Sequence, residues 1–415
     1  MRNPFKHAFT SFIPLLFRSL KHRNYRLFFA GQSISLMGTW IQNIALGWLV
    51  YRLTGSAIYL GIIAFAGQIP SLFITPMAGV YSDRFNRQRT LIVTQTLAMI
   101  VAIALAVFVI SERAGIHHLI IFAVIAGMIN AFDAPFRHAF VLELIGNKGD
   151  LPNAIALNSS LFNTARFIGP LIGGVLIGLV GEGWCFMING ISFMAVIISL
   201  KRIKVPAFKP ISNSGSVFRQ LREGLQYSWS YKPVRYLLLM VATGGFIVLP
   251  FQALMPVFAG DILQGNATLL GTLTGALGAG ALSGALFLAS RSNMKVLPAN
   301  IFIAAMLFGL ALMVFSQSQA IALSMVALYA TGFGMIVMFN ATNALLQSIS
   351  DEDKRGRVIS LYSLTFLGLT PLGNLTAGAI AEFAGVSATV FAASLICLIA
   401  GLLLRKKISE VSKLL

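Results

Sequence analysis

Three ionisable residues lie deep inside long apolar stretches of this chain, where a charge costs roughly 2.5 to 3.5 kcal/mol if the surroundings are hydrocarbon. Asp133 and Arg137 are four residues apart, a spacing at which a carboxylate and a guanidinium meet on one face of a helix. Arg166 is 13 residues beyond Asn153, which is about 20 Å along a helix. These residue types favour proton transfer at Asp133, with Arg137 as its partner, and anion binding at Arg166.

Polar side chains recur near Arg166 and in other apolar stretches at the spacing of one helix face. Steps of three and four residues place Ser159, Asn163 and Arg166 on the same face, and similar steps occur in the first and tenth apolar stretches. The predicted binding set is Thr39, Gln42, Ser159, Asn163, Arg166, Asn340, Asn343 and Tyr362. The alternative is that these groups only hydrogen-bond between helices, with Arg166 locking its helix to Asn130 or to carbonyls of the preceding helix.

Lipid is the solvent that this composition requires. The chain has 415 residues, of which 57% are hydrophobic and only 11% are charged, so it has more apolar surface than one soluble core can bury. A hydrocarbon layer about 30 Å thick needs roughly 20 apolar residues per helix. Runs of that length predict an all-α membrane protein with twelve transmembrane helices, at 27–51, 56–81, 90–110, 116–140, 153–180, 183–200, 235–259, 267–290, 295–316, 319–343, 357–381 and 386–404.

The basic residues indicate the orientation of these helices. Of the 31 Lys and Arg residues, 28 fall in the termini and loops of one side, whereas only Arg52 and Arg113 fall on the other. Because basic loops are retained in the cytoplasm, we expect an inner-membrane protein with both termini cytoplasmic. The net charge of +18 then reflects topology and attraction to anionic lipid, and no nucleic-acid partner is expected.

A long polar interruption divides the chain into two halves. The predicted order is a basic N-terminal segment at 1–26, six helices at 27–200, a cytoplasmic linker at 201–234, six helices at 235–404 and a tail at 405–415. Amphipathic patterns predict surface helices in the linker and between Phe5 and Phe17. A short pattern recurs 210 residues later, where Gly55, Leu60 and Gly61 correspond to Gly265, Leu270 and Gly271. Duplicated halves predict a central binding site with alternating access.

The segment after the second predicted helix reads GVYSDRFNRQR, from Gly79 to Arg89, and resembles the cytoplasmic signature of the major facilitator superfamily. Asn86 stands where that family usually has Gly. The resemblance implies close helix packing at Gly79 and a charge network that opens as the halves move, formed by Asp83, Arg84, Arg87 and Arg89. A loop that is merely basic and cytoplasmic is the simpler alternative.

The fifth predicted helix contains GPLIGG, which resembles the signature of the exporting, antiporter-type branches of that superfamily. Its residues Gly169, Pro170, Gly173 and Gly174 are expected to let the helix bend and pack tightly, and packing alone is the alternative. Longer strings, LKHRNYRLFFAGQSISLMGTWIQNIALGWLVYRLTGS at 20–56 and FDAPFRHAFVLELI at 132–145, look like the enterobactin-exporter group, also called the transmembrane secretion effector family.

The resemblance implies a secondary active exporter that works by proton antiport. The substrate is expected to be a small organic molecule, and the unpaired cation Arg166 favours a siderophore; macrolide or multidrug efflux is the main alternative, and lipid flipping a more distant one. No enzyme is expected, since the chain lacks a nucleophile triad, an HExxH motif and a phosphate-binding loop. No cofactor or metal is expected. The expected partners are the substrate, the proton gradient and the bilayer; periplasmic or outer-membrane export partners stay open, and a monomer is expected.

Overall fold

The computed structural model describes residues 17–145, 147–205, 226–291, 293–352 and 354–411. The surface helix predicted between Phe5 and Phe17 and most of the predicted linker lie outside the described residues. Within those ranges the chain is almost entirely helical and contains no β-strand. The all-α fold class predicted from composition is therefore confirmed.

The described residues form twelve long helices, one for each predicted span. They are α1 (Arg23–Thr54), α2 (Ala57–Tyr81), α3 (Arg87–Ile110), α4 (Ile116–Leu144), α5 (Leu151–Val180), α6 (Glu182–Arg202), α7 (Lys232–Ile262), α8 (Ala267–Ala289), α9 (Leu297–Gln317), α10 (Ile321–Ile349), α11 (Arg355–Ala384) and α12 (Val386–Ser409). Several run beyond the predicted ends; α10, for example, continues past residue 343 to Ile349. Helical backbone hydrogen bonds do not require apolar side chains, so a helix continues where its sequence has already become polar.

Eleven of these helices are long and apolar enough to cross a membrane, and α1 is not among them. At 32 residues α1 has ample length, but polar side chains interrupt its apolar residues along the middle of the helix. These are Gln32, Ser33, Ser35, Thr39, Gln42 and Asn43. Several of them face the interior of the bundle, which explains why this helix is less apolar than its neighbours.

Helix α7 is irregular along its second half. An α-helical part, Lys232–Thr243, is followed by π-helical turns at Gly244–Val248 and Phe258–Ile262, with 3-10 turns at Leu249–Leu254 between them. Pro250 and Pro256 lack backbone donors, so a continuous α-helix is disfavoured here. Irregular backbone at membrane depth occurs where it is buried in protein or lines a cavity.

The two halves contact each other through two equivalent pairs of glycines. Gly61 of α2 meets Gly378 of α11, and Gly271 of α8 meets Gly174 of α5; a Cβ on any of the four would lie within 3.0 Å of the Cα of its partner glycine. Gly271 follows Gly61 by 210 residues, and Gly378 follows Gly174 by 204. The internal repeat predicted from the sequence therefore reappears as pseudo-symmetric packing.

The halves are closed against each other on one face of the bundle. We call the face that carries Arg23 and Ser409 the terminal face, and the other, which carries the α1–α2 and α11–α12 connections, the opposite face. Near the opposite face Tyr51 donates a hydrogen bond to Asp261, and Ser56 donates to Glu382 at 2.9 Å. These bonds and both glycine pairs join the two halves there.

Polar side chains are exposed deep inside the bundle on the side of the terminal face. Ser159 lies eight residues into α5 and Asn340 nine residues before the end of α10, which is about 12 to 14 Å from the helix ends. Both are exposed, as is Gln347. Exposure of polar groups to lipid at such depth is unfavourable, so they line a water-accessible vestibule. The bundle is closed at the opposite face and open at the terminal face.

Candidate functional site

A central cavity of about 720 Å³ lies between the two halves. Its walls come mainly from α1 to α4, while α7, α8 and α11 close it from the second half. Eight of its lining residues carry side-chain amides: Gln42, Asn43, Gln68, Gln95, Asn130, Asn189, Gln252 and Asn374. Each amide offers both donors and an acceptor, so this cavity can bind a polar molecule in several orientations.

Apolar side chains cover the remaining walls. Leu60 and Ile63 of α2, Phe162 of α5 and Phe366 of α11 are among them. Such a mixture of apolar surface with a few polar groups is typical of small-molecule sites. The arrangement suits amphipathic molecules, whose apolar parts bury area while amides hold the polar groups.

Asp133 is buried in the wall of the cavity, with 3% of its surface exposed. Its Oδ1 accepts hydrogen bonds from Thr94 Oγ1 at 2.6 Å and Gln95 Nε2 at 2.9 Å, both from α3. Arg137 Nε lies 3.7 Å from Oδ2. The ion pair predicted from the i, i+4 spacing is therefore confirmed, and Arg137 also lines the cavity.

Arg166 lies next to the central cavity, where it contacts two residues of the cavity wall. The guanidinium Nη2 donates to Gln252 Oε1 of α7 at 3.3 Å, and Cζ is 5.9 Å from the centroid of the Trp40 ring. Among the described residues no carboxylate pairs with Arg166. The contacts differ from the structural alternative drawn from the sequence, since Arg166 bridges to the second half instead of locking onto Asn130.

The predicted binding residues do not all meet at the cavity. Thr39 and Gln42 line it, together with Asp133 and Arg137. Ser159, Asn163, Asn340 and Asn343 lie nearer the terminal face, and Gln347 donates to Asn343 at 2.9 Å. These four lie outside the lining of the central cavity, so their part in substrate binding stays a prediction.

Tyr362 is buried with its hydroxyl donating to the carbonyl of Phe339 at 3.1 Å, and its ring stacks on Phe366. Phe366 belongs to the cavity wall, whereas Tyr362 is not part of the lining. Its aromatic contact is thus with the protein. Direct substrate stacking by Tyr362 stays a prediction.

Sequence reasoning missed several residues of the site. Gln95 and Thr94 hold Asp133, while Gln252 holds Arg166, and none of them belongs to an obvious polar stripe. Asn189 of α6 donates to Gln42 at 2.7 Å and so orients a predicted residue. The one signal for Gln252 was its place between Pro250 and Pro256, a position where a broken helix lines a cavity.

The loop between α2 and α3 carries an ion-pair network inside the first half. Arg87 pairs with Asp83 at 3.0 Å and with Glu143 of α4 at 2.6 Å, and Glu143 was not predicted. Asn86 Oδ1 accepts from the backbone of Arg89, so the residue that replaces the usual Gly caps α3. The network ties the loop to α4 in this conformation.

The network does not include three other residues of the predicted signature, Gly79, Arg84 and Arg89. The expectation of close packing at Gly79 is wrong for this conformation, since a Cβ there would meet nothing within 4 Å. The open vestibule leaves space beside this end of α2. Arg84 and Arg89 are exposed.

The GPLIGG segment packs tightly on two sides, as expected. A Cβ at Gly169 would lie 2.4 Å from Trp40 Cβ, and one at Gly173 would lie 3.2 Å from Ile41 Cα. Gly174 faces α8 of the second half. The segment therefore links α1 to the contact between the halves. It lies beside Trp40, the α1 residue that contacts Arg166.

A buried carboxylate anchors the segment before α1 at the terminal face. Asp150, just before α5, pairs with Arg18, Lys21 and His22. Hydrogen bonds from Lys21 and His22 lower the pKa of Asp150 to about 2, although burial opposes this shift. The carboxylate therefore stays charged at any physiological pH and holds the segment before α1 against α5.

The chain matches a known protein family over nearly its whole length. The family model, described as transmembrane secretion effector, matches residues 15–413. The multidrug efflux pump Tap of Mycolicibacterium fortuitum is 28% identical over 374 residues, covering 88% of this chain and 90% of that protein. The staphyloferrin A transporter of Staphylococcus aureus is 26% identical over 387 residues, covering 90% and 94% respectively.

Solved structures share the fold at low sequence identity. The nucleoside transporter NupG superimposes with a TM-score of 0.72 at 11% identity, covering 92% of this chain and 98% of that one. A bacterial homologue of the iron transporter ferroportin, crystallised in an inward-facing state, gives a TM-score of 0.71 at 15% identity with the same coverage. At such identities the likeness concerns the fold alone.

Proposed function

Because the chain belongs to the transmembrane secretion effector family of major facilitator efflux transporters, we propose that it is a proton-coupled exporter of small organic anions of the siderophore type. The single observation that carries the substrate class is the environment of Arg166. Its guanidinium contacts Trp40 and Gln252 in the cavity wall, and no carboxylate among the described residues neutralises it. An unneutralised cation at this depth favours a site for an anionic ligand.

The orientation is part of the proposal. Lys and Arg residues concentrate on the terminal face, so this face is cytoplasmic, with both termini there, in an inner membrane. The vestibule then opens to the cytoplasm, where an exporter collects its substrate. Rocking the halves apart at the glycine pairs would open the cavity to the other side, as alternating access requires.

Asp133 is the proposed proton carrier. It is the carboxylate that lines the cavity, and its Oδ2 faces Arg137 at 3.7 Å, longer than a hydrogen bond. A proton taken up from the opposite face would remove this charge and release Arg137. The energy for export then comes from the proton gradient.

Drug efflux is the second candidate function, and the apolar part of the cavity favours it. Leu60, Ile63, Phe162 and Phe366 offer surface to bulky amphipathic molecules. The efflux pump Tap and macrolide efflux protein A of Streptococcus pyogenes, 22% identical over 379 residues, have names that point the same way. A drug exporter does not need an anion site, so Arg166 separates the two functions.

The experiment compares Arg166→Gln and Arg166→Lys with wild type in inverted membrane vesicles. Uptake of a polycarboxylate, citrate, and of a cationic dye, ethidium, is followed under an imposed pH gradient. Loss of one charge-assisted contact is expected to reduce citrate transport by Arg166→Gln about tenfold or more, with partial activity in Arg166→Lys and little change for ethidium.

Arg113→Gln serves as the matched control, because this arginine is exposed in the loop between α3 and α4. It should transport both probes as wild type does. A well-expressed Arg166→Gln protein with normal citrate transport would rule out the anion-binding role. Transport of ethidium without any citrate transport by wild type would favour the drug-efflux candidate.

A further inference from the structure

Gln95 lines the cavity, and its side chain has a buried oxygen without a hydrogen-bond donor in the described part of the chain. Gln95 is 5% exposed, and its Nε2 donates to Asp133 Oδ1 at 2.9 Å. Among the described residues no donor reaches its Oε1. A buried acceptor without a donor is unfavourable and rare, so its presence at a ligand cavity calls for an explanation.

The charge of Asp133 holds the Gln95 amide in this orientation. An ionised carboxylate only accepts hydrogen bonds, so the NH₂ group of Gln95 must face Asp133 and the oxygen must face away. A protonated Asp133 becomes a donor. The amide is then better satisfied if it turns over, accepting from Asp133 with its oxygen and directing its NH₂ group towards the cavity.

Thr94 is able to adapt to the same change. Its Oγ1 lies 2.6 Å from Asp133 Oδ1 and 3.1 Å from the carbonyl of Leu91. While Asp133 is charged the hydroxyl donates to it, and when Asp133 is protonated the hydroxyl can donate to Leu91 instead. No group around Oδ1 then opposes the turn of the amide.

Few charges face this cluster. Residues 27–50 of α1, 57–80 of α2 and 90–110 of α3 contain no Asp, Glu, Lys, Arg or His. Arg137 and His138 lie on the same helix as Asp133, and Arg166 lies on α5, beside Trp40 and Gln252 of the cavity wall. Arg137 faces Oδ2, which leaves Oδ1 to Thr94 and Gln95.

We propose that Gln95 is a specificity residue whose oxygen accepts a hydrogen bond from a hydroxyl or amine of the substrate while Asp133 is ionised. When a proton binds Asp133, the Gln95 amide turns over and presents N–H groups to that substrate donor. The substrate then loses the acceptor for the hydrogen bond that it donates, which weakens its binding and favours its release. This rests on the proposed function, since it takes Asp133 as the proton carrier.

The chemical class of the substrate follows from the two polar ends of the site. Arg166 takes an anionic group, and Gln95 takes a hydrogen-bond donor at the wall that holds Asp133. Hydroxy acids and phenolic acids have both groups in one small molecule. Gln95 then discriminates such a molecule from its methylated analogue, which lacks the donor.

The binding test uses 2,3-dihydroxybenzoate and 2,3-dimethoxybenzoate as a matched pair of probes, with the full chain in nanodiscs. Wild type should bind the dihydroxy probe about tenfold more tightly than the dimethoxy probe in alkaline buffer, since the latter leaves Oε1 unsatisfied. The difference should shrink in acidic buffer. Equal affinity for the two probes at both pH values would overturn the proposal.

Two substitutions separate binding from the response to pH. Gln95→Met removes the amide at similar size and should lose the preference for the dihydroxy probe. Gln95→Glu keeps a hydrogen-bond acceptor at this position, and its carboxyl group shares any bound proton with that of Asp133. This variant should therefore retain tight binding of the dihydroxy probe but respond less to pH. A merely structural role of Gln95 would weaken both variants alike. Gln317→Met, at an exposed glutamine, is the control.

A spectroscopic test requires no substrate and separates this proposal from the proposed function. Infrared difference spectra between acidic and alkaline buffer should show a carboxylic-acid band together with a shift of the glutamine amide band, identified by ¹³C-labelled glutamine. The carboxylic-acid band and the amide shift should both be absent in Asp133→Asn. A carboxylic-acid band that persists in Asp133→Asn contradicts proton carriage by Asp133, whereas a band without any amide shift contradicts the turn of Gln95 alone.

Discussion

The two halves of the molecule share their packing but differ in their chemistry. Gly174 of α5 and Gly378 of α11 occupy the same position in helices of equal length, and each meets a glycine of the other half. The position of Arg166 in α5 corresponds to Thr370 in α11, and Asp133 in α4 corresponds to Met338 in α10. The backbone contacts are symmetric, while at these two positions only the first half carries a charge.

This difference shows that closing the two halves against each other and the proposed proton coupling place different demands on the sequence. Both glycine pairs are needed to bring the halves together, because backbone approach at one pair alone would tilt them. In the proposed mechanism, one proton site is sufficient to drive a transport cycle. A second buried carboxylate and cation would add desolvation cost without adding a contact between the halves.

Asp133→Asn should give the largest effect, since it removes a buried carboxylate that has no counterpart at the equivalent position of the second half. We expect facilitated movement of citrate down its gradient to persist, while acceleration by an imposed pH gradient falls by about 5- to 150-fold. Vesicle uptake with and without the pH gradient measures this. Met338→Leu, at the equivalent position of the second half, is a volume-conserving control that should leave coupling intact. A full response of Asp133→Asn to the pH gradient would contradict the asymmetry.

Gly174→Ala and Gly378→Ala should give intermediate and equal effects. A Cβ at Gly174 would lie 2.6 Å from the carbonyl of Ala267, and one at Gly378 would lie 2.8 Å from that of Ala57. Each overlap is with backbone, so we expect each substitution to disfavour closure of the opposite face by about 1 to 3 kcal/mol.

Spin labels on Arg113→Cys and Gln319→Cys, in exposed loops of the opposite face, report the distance between the halves. Both alanine variants should shift this distance distribution towards the open form. Gly356→Ala is the control, since a Cβ there meets nothing within 4 Å. A shift in one variant but not the other would break the symmetry inferred from packing.

Asp150→Asn should give the smallest effect, a slight lowering of the Tm of the solubilised protein near neutral pH. The pKa of this carboxylate is lowered from 3.8 to about 2, so its contribution is present above pH 4 and is lost as the pH falls through about 2. The difference in Tm between wild type and variant should disappear over that range.

The position before α11 that corresponds to Asp150 gives a further comparison between the two halves. Lys354 stands there and lies 4.9 Å from the ring of Tyr227, in the segment that precedes α7. Lys354 Nζ also lies 3.2 Å from Asp351 Oδ2 in an exposed ion pair, so an aromatic contact and an exposed pair replace the buried carboxylate of the first half. Exposed ion pairs contribute little to stability. Lys354→Met should therefore change the Tm by an amount that varies less between pH 4 and pH 2 than that of Asp150→Asn; a similar pH dependence of both would contradict two different anchors.

Composition, periodicity and loop charge were sufficient for the helices of this protein. Each predicted span coincides with a helix because a bilayer forces every buried backbone group into helical hydrogen bonds, whatever the side chains are. The pair of Asp133 and Arg137 was also predictable, since it depends on one helix turn. The repeat that relates Gly61 to Gly271 was visible in the sequence. The contacts of these two glycines with α11 and α5 were not.

Tertiary structure alone decided which polar residues share the cavity. Gln95 meets Asp133, and Gln252 meets Arg166, across gaps of 38 and 86 residues, which no local pattern encodes. Ser159 and Asn340 have the right periodicity but the wrong depth for the central cavity, because the tilt and splay of helices set the depth at which faces meet. The sequence by itself determined the helices and the ion pair within one helix turn, whereas long-range packing determined which side chains meet at the cavity.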